Sequence, residues 1–153
     1  MSKVKKILVV HHSKTGNTKN LTSAVIRGAQ KVNAEIRSLS ALKASSKDVL
    51  WCDGLILGTP ENFGYMSGAM KHFLDEIYYD CLDKVNGLPY AIYVKAGTDG
   101  TGTVINIEKI VSGLSLKKIN EPLLIVGEMG DAALSQCEEL GHLMAAGLEA
   151  SIF

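Results

Sequence analysis

Ile7-Leu8-Val9-Val10-His11-His12-Ser13-Lys14-Thr15-Gly16-Asn17-Thr18 is the stretch on which the fold turns. Its first four residues are wholly apolar and mostly β-branched, the pattern of a central parallel strand covered on both faces. From Asn17 the period changes. Leu21, Ala24, Val25, Gly28, Ala29 and Val32 follow the i, i+3, i+4, i+7 spacing of a helix packed on a sheet. Between strand and helix stand three hydroxyls, an amide and a glycine. A helix start presents free N–H groups and a partial positive charge, and short hydroxyl side chains add donors without bulk. Gly16 permits a tight backbone turn. Together these residues predict a phosphate cradle; an ordinary Ser/Thr cap cluster is the plainer alternative. The patterns G-x-x-x-x-G-K-[ST] and G-x-G-x-x-G are both absent after this strand. A single terminal phosphate therefore suits the loop better than a triphosphate or a pyrophosphate.

Outward from this stretch, strand and helix signals alternate. Ala34 to Leu39 reads as a second, peripheral strand, and Ser45-Ser46-Lys47-Asp48 as a polar connection. Gly54-Leu55-Ile56-Leu57-Gly58 is a third, buried strand stopped by Thr59-Pro60, with a long loop from Glu61 to Tyr65 after it. Met70, Phe73, Leu74, Ile77, Tyr78 and Cys81 mark an amphipathic helix, with Ser67 as its expected N-cap. Tyr90 to Val94 is the fourth strand. Gly97-Thr98-Asp99-Gly100-Thr101-Gly102 then leads into a helix carrying Val104, Ile107, Val111 and Leu114 on one side. Leu123 to Val126 is the fifth strand, and Asp131 is the expected cap of a last helix. Strands and helices in such alternation imply an open parallel sheet with helices on both faces. Ligands of such sheets lie beyond the carboxyl ends of the strands, where the strand order reverses.

The chain has 153 residues, 46% of them hydrophobic, enough for one core and one domain spanning 1–153. Lys plus Arg equals Asp plus Glu, so no basic face for nucleic acid and no strongly acidic docking surface is expected. Cys52, Cys81 and Cys137 are odd in number and far apart, against a disulfide framework and in keeping with a reducing cytoplasm. The four histidines have no metal-ligand spacing. The basic start is followed by too short an apolar run for a signal peptide, and no segment approaches the length needed to span a bilayer, so no membrane partner is expected.

The motifs also carry a resemblance. Ser13-x-Thr15-Gly16-x-Thr18 matches the flavodoxin loop for the phosphate of flavin mononucleotide (FMN), [ST]-x-T-G-x-T, at each fixed position. Gly58-Thr59-Pro60-Glu61-Asn62-Phe63-Gly64-Tyr65-Met66-Ser67-Gly68, followed by Phe73-Leu74-Asp75, resembles G-T-P-x-x-F-G-x-M-S-G and F-L-D of flavodoxin-like NAD(P)H:quinone oxidoreductases and NADPH-dependent FMN reductases. The glycine-rich loop 97–102 is similar to theirs. The resemblance implies an α/β, flavodoxin-like, open five-stranded parallel sheet of order 2-1-3-4-5 with helices on both faces. It implies FMN as cofactor and NAD(P)H as a possible donor.

Under that resemblance, Ser13, Thr15, Gly16, Asn17 and Thr18 hold the phosphate. Pro60, Glu61, Asn62, Phe63 and Gly64 follow one edge of the isoalloxazine, and Ala96, Gly97, Thr98, Asp99, Gly100 and Gly102 line its pyrimidine edge. Phe63 and Tyr65 flank the ring or serve as loop or subunit packing. No side chain is marked as an acid or base, and no metal is implied. Glu61-Asn62 replaces the Arg that the quinone-reductase branch often carries before Phe-Gly, and the insertion after the fourth strand is missing. The resulting expectation is an oxidoreductase passing electrons from NAD(P)H through FMN to a quinone, flavin or other small acceptor, with a homodimer or homotetramer as the candidate assembly. An electron carrier for protein partners and a non-catalytic FMN-binding module are the alternatives.

Overall fold

The computed structural model describes residues 3–153. Its elements run β1 (Lys5–His11), α1 (Asn17–Ala29), β2 (Ala34–Ser40), α2 (Ser46–Trp51), β3 (Gly54–Asn62), β4 (Tyr65–Met66), α3 (Gly68–Cys81), β5 (Pro89–Ala96), α4 (Thr101–Gly113), β6 (Lys117–Lys118), β7 (Leu123–Val126) and α5 (Asp131–Glu149). The sheet has the order β2-β1-β3-β5, with β6 and β7 both against the far edge of β5. All these pairings are parallel. The expected order 2-1-3-4-5 is present, its fourth and fifth strands being β5 and the β6/β7 pair.

Strand alternation divides the core in two. Leu8, Val10, Leu55, Leu57, Tyr90, Ile92 and Val94 face α3 and α4 with Met70, Phe73, Ile77, Ile107 and Val111. Ile7, Val9, Ile56, Ala91 and Tyr93 face α1 and α5 with Leu21, Val25, Cys137, Leu140 and Met144. Both faces of the central strands are covered, as the unbroken apolar runs require. The α1–α5 seam is unusually close. A methyl on Gly28 would lie 1.7 Å from the Glu138 carbonyl oxygen, and one on Gly141 would lie 1.9 Å from that of Val25. The two helices meet backbone to backbone there, and no larger residue fits.

Four expectations need correction. The third strand does not stop at Thr59-Pro60; it runs on to Asn62, and the long loop is a hairpin in which Glu61 and Asn62 pair with Met66 and Tyr65. Pro60 cannot donate to the ladder, but the two residues beyond it find new partners in β4. The polar connection at 45–48 contains the start of α2. The Asp48 carboxylate accepts the Ser45 N–H at 2.8 Å and pairs with Arg37 at 2.7 Å, while Val49 is buried below. Arg37 in turn lies 3.9 Å from the centre of the Trp51 ring, so the indole packs against the guanidinium. Asp131 is the first residue of α5 and Gly130 is its N-cap. The fifth strand is split: β6 pairs with Pro89–Tyr90 and β7 with Tyr93–Ala96. Ser67 caps α3 as expected, its hydroxyl accepting the Met70 N–H at 3.2 Å.

Candidate functional site

Strand order reverses between β1 and β3, and the loops following β1, β3 and β5 lie together at their carboxyl ends. The first loop joins β1 to α1. Gly16 is the N-cap of α1, with φ 95° in the left-handed region and no side-chain cap on the helix. Nothing lies within 4 Å of where its Cβ would be. Ser13 Oγ accepts the Gly16 N–H at 3.0 Å, which folds the loop back on itself and leaves the Ser13 proton available to a ligand. Thr15 and Asn17 are exposed, whereas Thr18 is turned inward and only 2% exposed. Lys14 is exposed.

The second loop is the tip of the β3–β4 hairpin. Its two central residues, Phe63 (φ 54°) and Gly64 (φ 75°), both have positive φ. A two-residue turn of this kind favours Asn-Gly, because a bulky residue is strained at positive φ. Phe63 is nevertheless there, and fully exposed. Neither turn geometry nor the core calls for an aromatic at this position.

The third loop joins β5 to α4. Gly97, Thr98 and Asp99 are exposed. Asp99 Oδ1 accepts the Thr101 hydroxyl at 2.5 Å and so closes the turn into α4. Ala96 instead belongs to the core beneath. The second and third loops grip one another. Glu61 Oε2 accepts the Gly100 N–H at 2.7 Å, and the Gly64 carbonyl lies where a methyl on Gly102 would meet it at 2.4 Å. The Glu61 side chain thus binds loop to loop, while the backbone of residues 60–64 and 97–100 forms one continuous edge.

Two buried side-chain atoms lack a hydrogen-bond partner among the described residues, and both adjoin these loops. They are His12 Nδ1, just before the first loop, and Thr103 Oγ1, in the first turn of α4. Orphaned polar atoms of this kind are costly unless a ligand or water meets them. Neither was among the expected site residues; Thr103 falls one place beyond the glycine-rich pattern that marked the third loop. His11 bonds Ser38 Oγ through Nε2 at 3.0 Å, and its pKa is held below the ordinary 6.5 by burial and then by the charge of His12. The three thiols, Cys52, Cys81 and Cys137, are all buried, and burial raises each of them, Cys52 and Cys137 up to about 12. Among the described residues, no group of three or more His, Cys, Asp or Glu is arranged for a metal, and no helix is long and apolar enough to cross a membrane.

The arrangement fits a phosphate monoester carried on a flat ring. An uncapped helix start with an open glycine offers free donors to an anion, and glycine-rich backbone lets a ring approach closely. Comparison with known proteins agrees. Residues 37–130 match the family described as NADPH-dependent FMN reductase. A flavodoxin of Aquifex aeolicus (strain VF5) is 34% identical over 110 residues, 71% of this chain and 60% of that protein, so the match spans less than two thirds of the relative's length. A flavodoxin from the domain Archaea superposes with a TM-score of 0.84 at 22% identity, covering 94% of this chain and 99% of the other. A WrbA-like flavodoxin from Agrobacterium tumefaciens gives 0.77 at 18% identity, covering 95% and 98%. At these identities the structural likeness is one of fold.

Proposed function

Because this chain belongs to the NADPH-dependent FMN reductase family, flavodoxin-like proteins that bind FMN, we propose that it is an oxidoreductase taking electrons from NAD(P)H and delivering them to a quinone, a flavin or another small acceptor. The observation that carries this reading is the bareness of the third loop. Gly97, Thr98 and Asp99 are exposed and carry no aromatic ring, so that side of the site stays open to a second planar molecule. The neutral net charge favours the same reading, since a protein-docking carrier gains from a charged face.

When bound, FMN supplies the electron-transfer chemistry itself; the chain binds, orients and tunes. Thr15, Asn17, the Ser13 proton and the amides opening α1 would hold the phosphate. The joined edge of residues 60–64 and 97–100 would face the ring with backbone donors, which favour negative charge developing there. Phe63 would cover part of the ring, which accounts for an aromatic at a strained, exposed position. An electron-carrier role is the second reading, favoured by the relative named a flavodoxin.

Replacing Thr15 and Thr18 together by Ala should weaken FMN binding about 10- to 100-fold, the worth of the charge-assisted hydrogen bond from the exposed Thr15, with Thr18 removed so that its hydroxyl cannot take over. Unchanged affinity in a flavin fluorescence titration would overturn the cradle. Anaerobic NADPH should bleach the FMN-loaded protein, and a quinone should restore the colour with turnover. Reoxidation by protein acceptors alone would favour the carrier.

A further inference from the structure

We propose that Tyr93, outside all three loops and out of contact with solvent, is a positioning residue for the phosphate grip, acting through Thr22 and Thr18. The inference rests on the first loop being the FMN cradle. Tyr93 lies in the middle of β5 and is 0% exposed. Its hydroxyl meets Thr22 Oγ1 on α1, and that hydroxyl bonds the Thr18 carbonyl at 2.9 Å. A threonine hydroxyl has one proton. Since Thr22 gives it to Thr18, the phenol must donate to Thr22, and the relay runs one way from sheet to helix. Burial raises the phenol pKa well above its usual 10, so that proton stays in place.

The Thr18 carbonyl shares a peptide group with the Lys19 N–H, in the first turn of α1. Donation onto a carbonyl strengthens the N–H of the same peptide as a donor. The relay also sets how deep the first turn of α1 rests on the sheet. The phenol has no freedom to retreat: a methyl on Gly58 would lie 2.0 Å from Tyr93 Cζ and 2.2 Å from its oxygen. Tyr93 belongs to one apolar core with Ile7, Val9, Leu21 and Val25. Phe and Val would suit such a setting without burying two hydroxyls, which is costly unless both are bonded. The pair is placed where its bonds end at the cradle.

The test compares FMN with riboflavin, which has the ring and lacks the phosphate, by fluorescence titration of the apoprotein. Tyr93→Phe should weaken FMN about 5- to 10-fold, the worth of one buried hydrogen bond, while riboflavin affinity stays within about 2-fold. Thr22→Val should do the same. The double variant should be no worse than either single, because both break one chain. The ³¹P resonance of bound FMN should move in Tyr93→Phe, a change that general loosening of the core would not single out. If Tyr93→Phe does not fold, Thr22→Val breaks the relay one bond nearer the loop and carries the test alone. Equal losses for FMN and riboflavin, or no loss for either, would overturn the inference. If those results come with a strong FMN loss in Thr15→Ala/Thr18→Ala, the cradle stands and only the relay is wrong. If the latter variant binds FMN normally, cradle and relay fall together.

Discussion

The first loop and the pair of later loops are held in opposite ways. Loop 13–18 is the cap of a helix anchored along its length: α1 is locked to α5 at Gly28 and Gly141 and tied to β5 through Thr22. The hairpin tip and the third loop are fixed chiefly by each other, through Glu61 to Gly100 and Gly64 against Gly102, and Phe63 projects from them unsupported. A phosphate is small, its charge does not change with redox state, and a rigid seat suits it. A flavin ring gains charge and changes its hydrogen-bonding needs on reduction, and an edge that can adjust suits it better. The comparison teaches that disturbance of the core should be felt at the phosphate, and disturbance of the loop contacts at the ring.

The largest expected effect comes from the α1–α5 seam. Gly28→Ala drives a methyl into the Glu138 backbone and should cost about 2–3 kcal/mol, at the upper end of overpacking penalties. In a urea titration the midpoint should fall by about 1 M or more. Gly130→Ala, with nothing within 4 Å, should leave it in place. Equal midpoints for the two variants would break the claim that the first loop stands on a rigid base.

Acid should act on the same base. His11 takes up a proton less readily in the folded protein than in the unfolded chain. Its contribution to stability is therefore complete above about pH 6.5 and is lost as pH falls through that value toward the lowered folded pKa. Urea titrations between pH 7.5 and 5 should show a shallower loss in His11→Gln than in the parent. A parallel loss in both would remove His11 from the account.

The loop contacts should respond more gently. Glu61→Ala leaves the Gly100 N–H without its acceptor and should cost about 1 kcal/mol. It should shift the flavin absorption bands and change riboflavin affinity as much as FMN affinity, the opposite of a phosphate-loop lesion. The smallest effect belongs to Phe63→Asn. No packing is lost and Asn tolerates positive φ, so stability should hold or rise by about 0.5 kcal/mol, even as flavin fluorescence in the complex changes. A clear destabilisation would show that Phe63 is structural.

How far the chain could be read from its residues follows the same division. β1, β3 and β5 were legible because buried parallel strands are uninterrupted apolar runs. The first loop was legible because its donors are contiguous. The hairpin was not: Phe63 stands where Asn would have announced the turn, and Pro60 looked like a stop. α2 was hidden because six residues give no periodicity, and its local cap, the Ser45 N–H on the Asp48 carboxylate, falls inside a run that reads as a polar connection. Lys117-Lys118 is too short and too polar to read as a strand. Tyr93 read as part of the fourth strand, where it lies, but its partner is 71 residues away, and no local pattern reports a bond of that span.

The divided outer strand bears on self-association. Along the β5 edge, two lysines and then four apolar residues are separated by Ile119–Pro122. Exposed lysines, a residue with no amide proton and an abrupt gap are how sheets discourage a neighbour from adding a strand. Lys118 is further occupied by Glu108 and Glu121, each at 3.3 Å. Copies of this chain should not join by continuing the sheet across that border, so a dimer or tetramer, if formed, must look elsewhere for its contact.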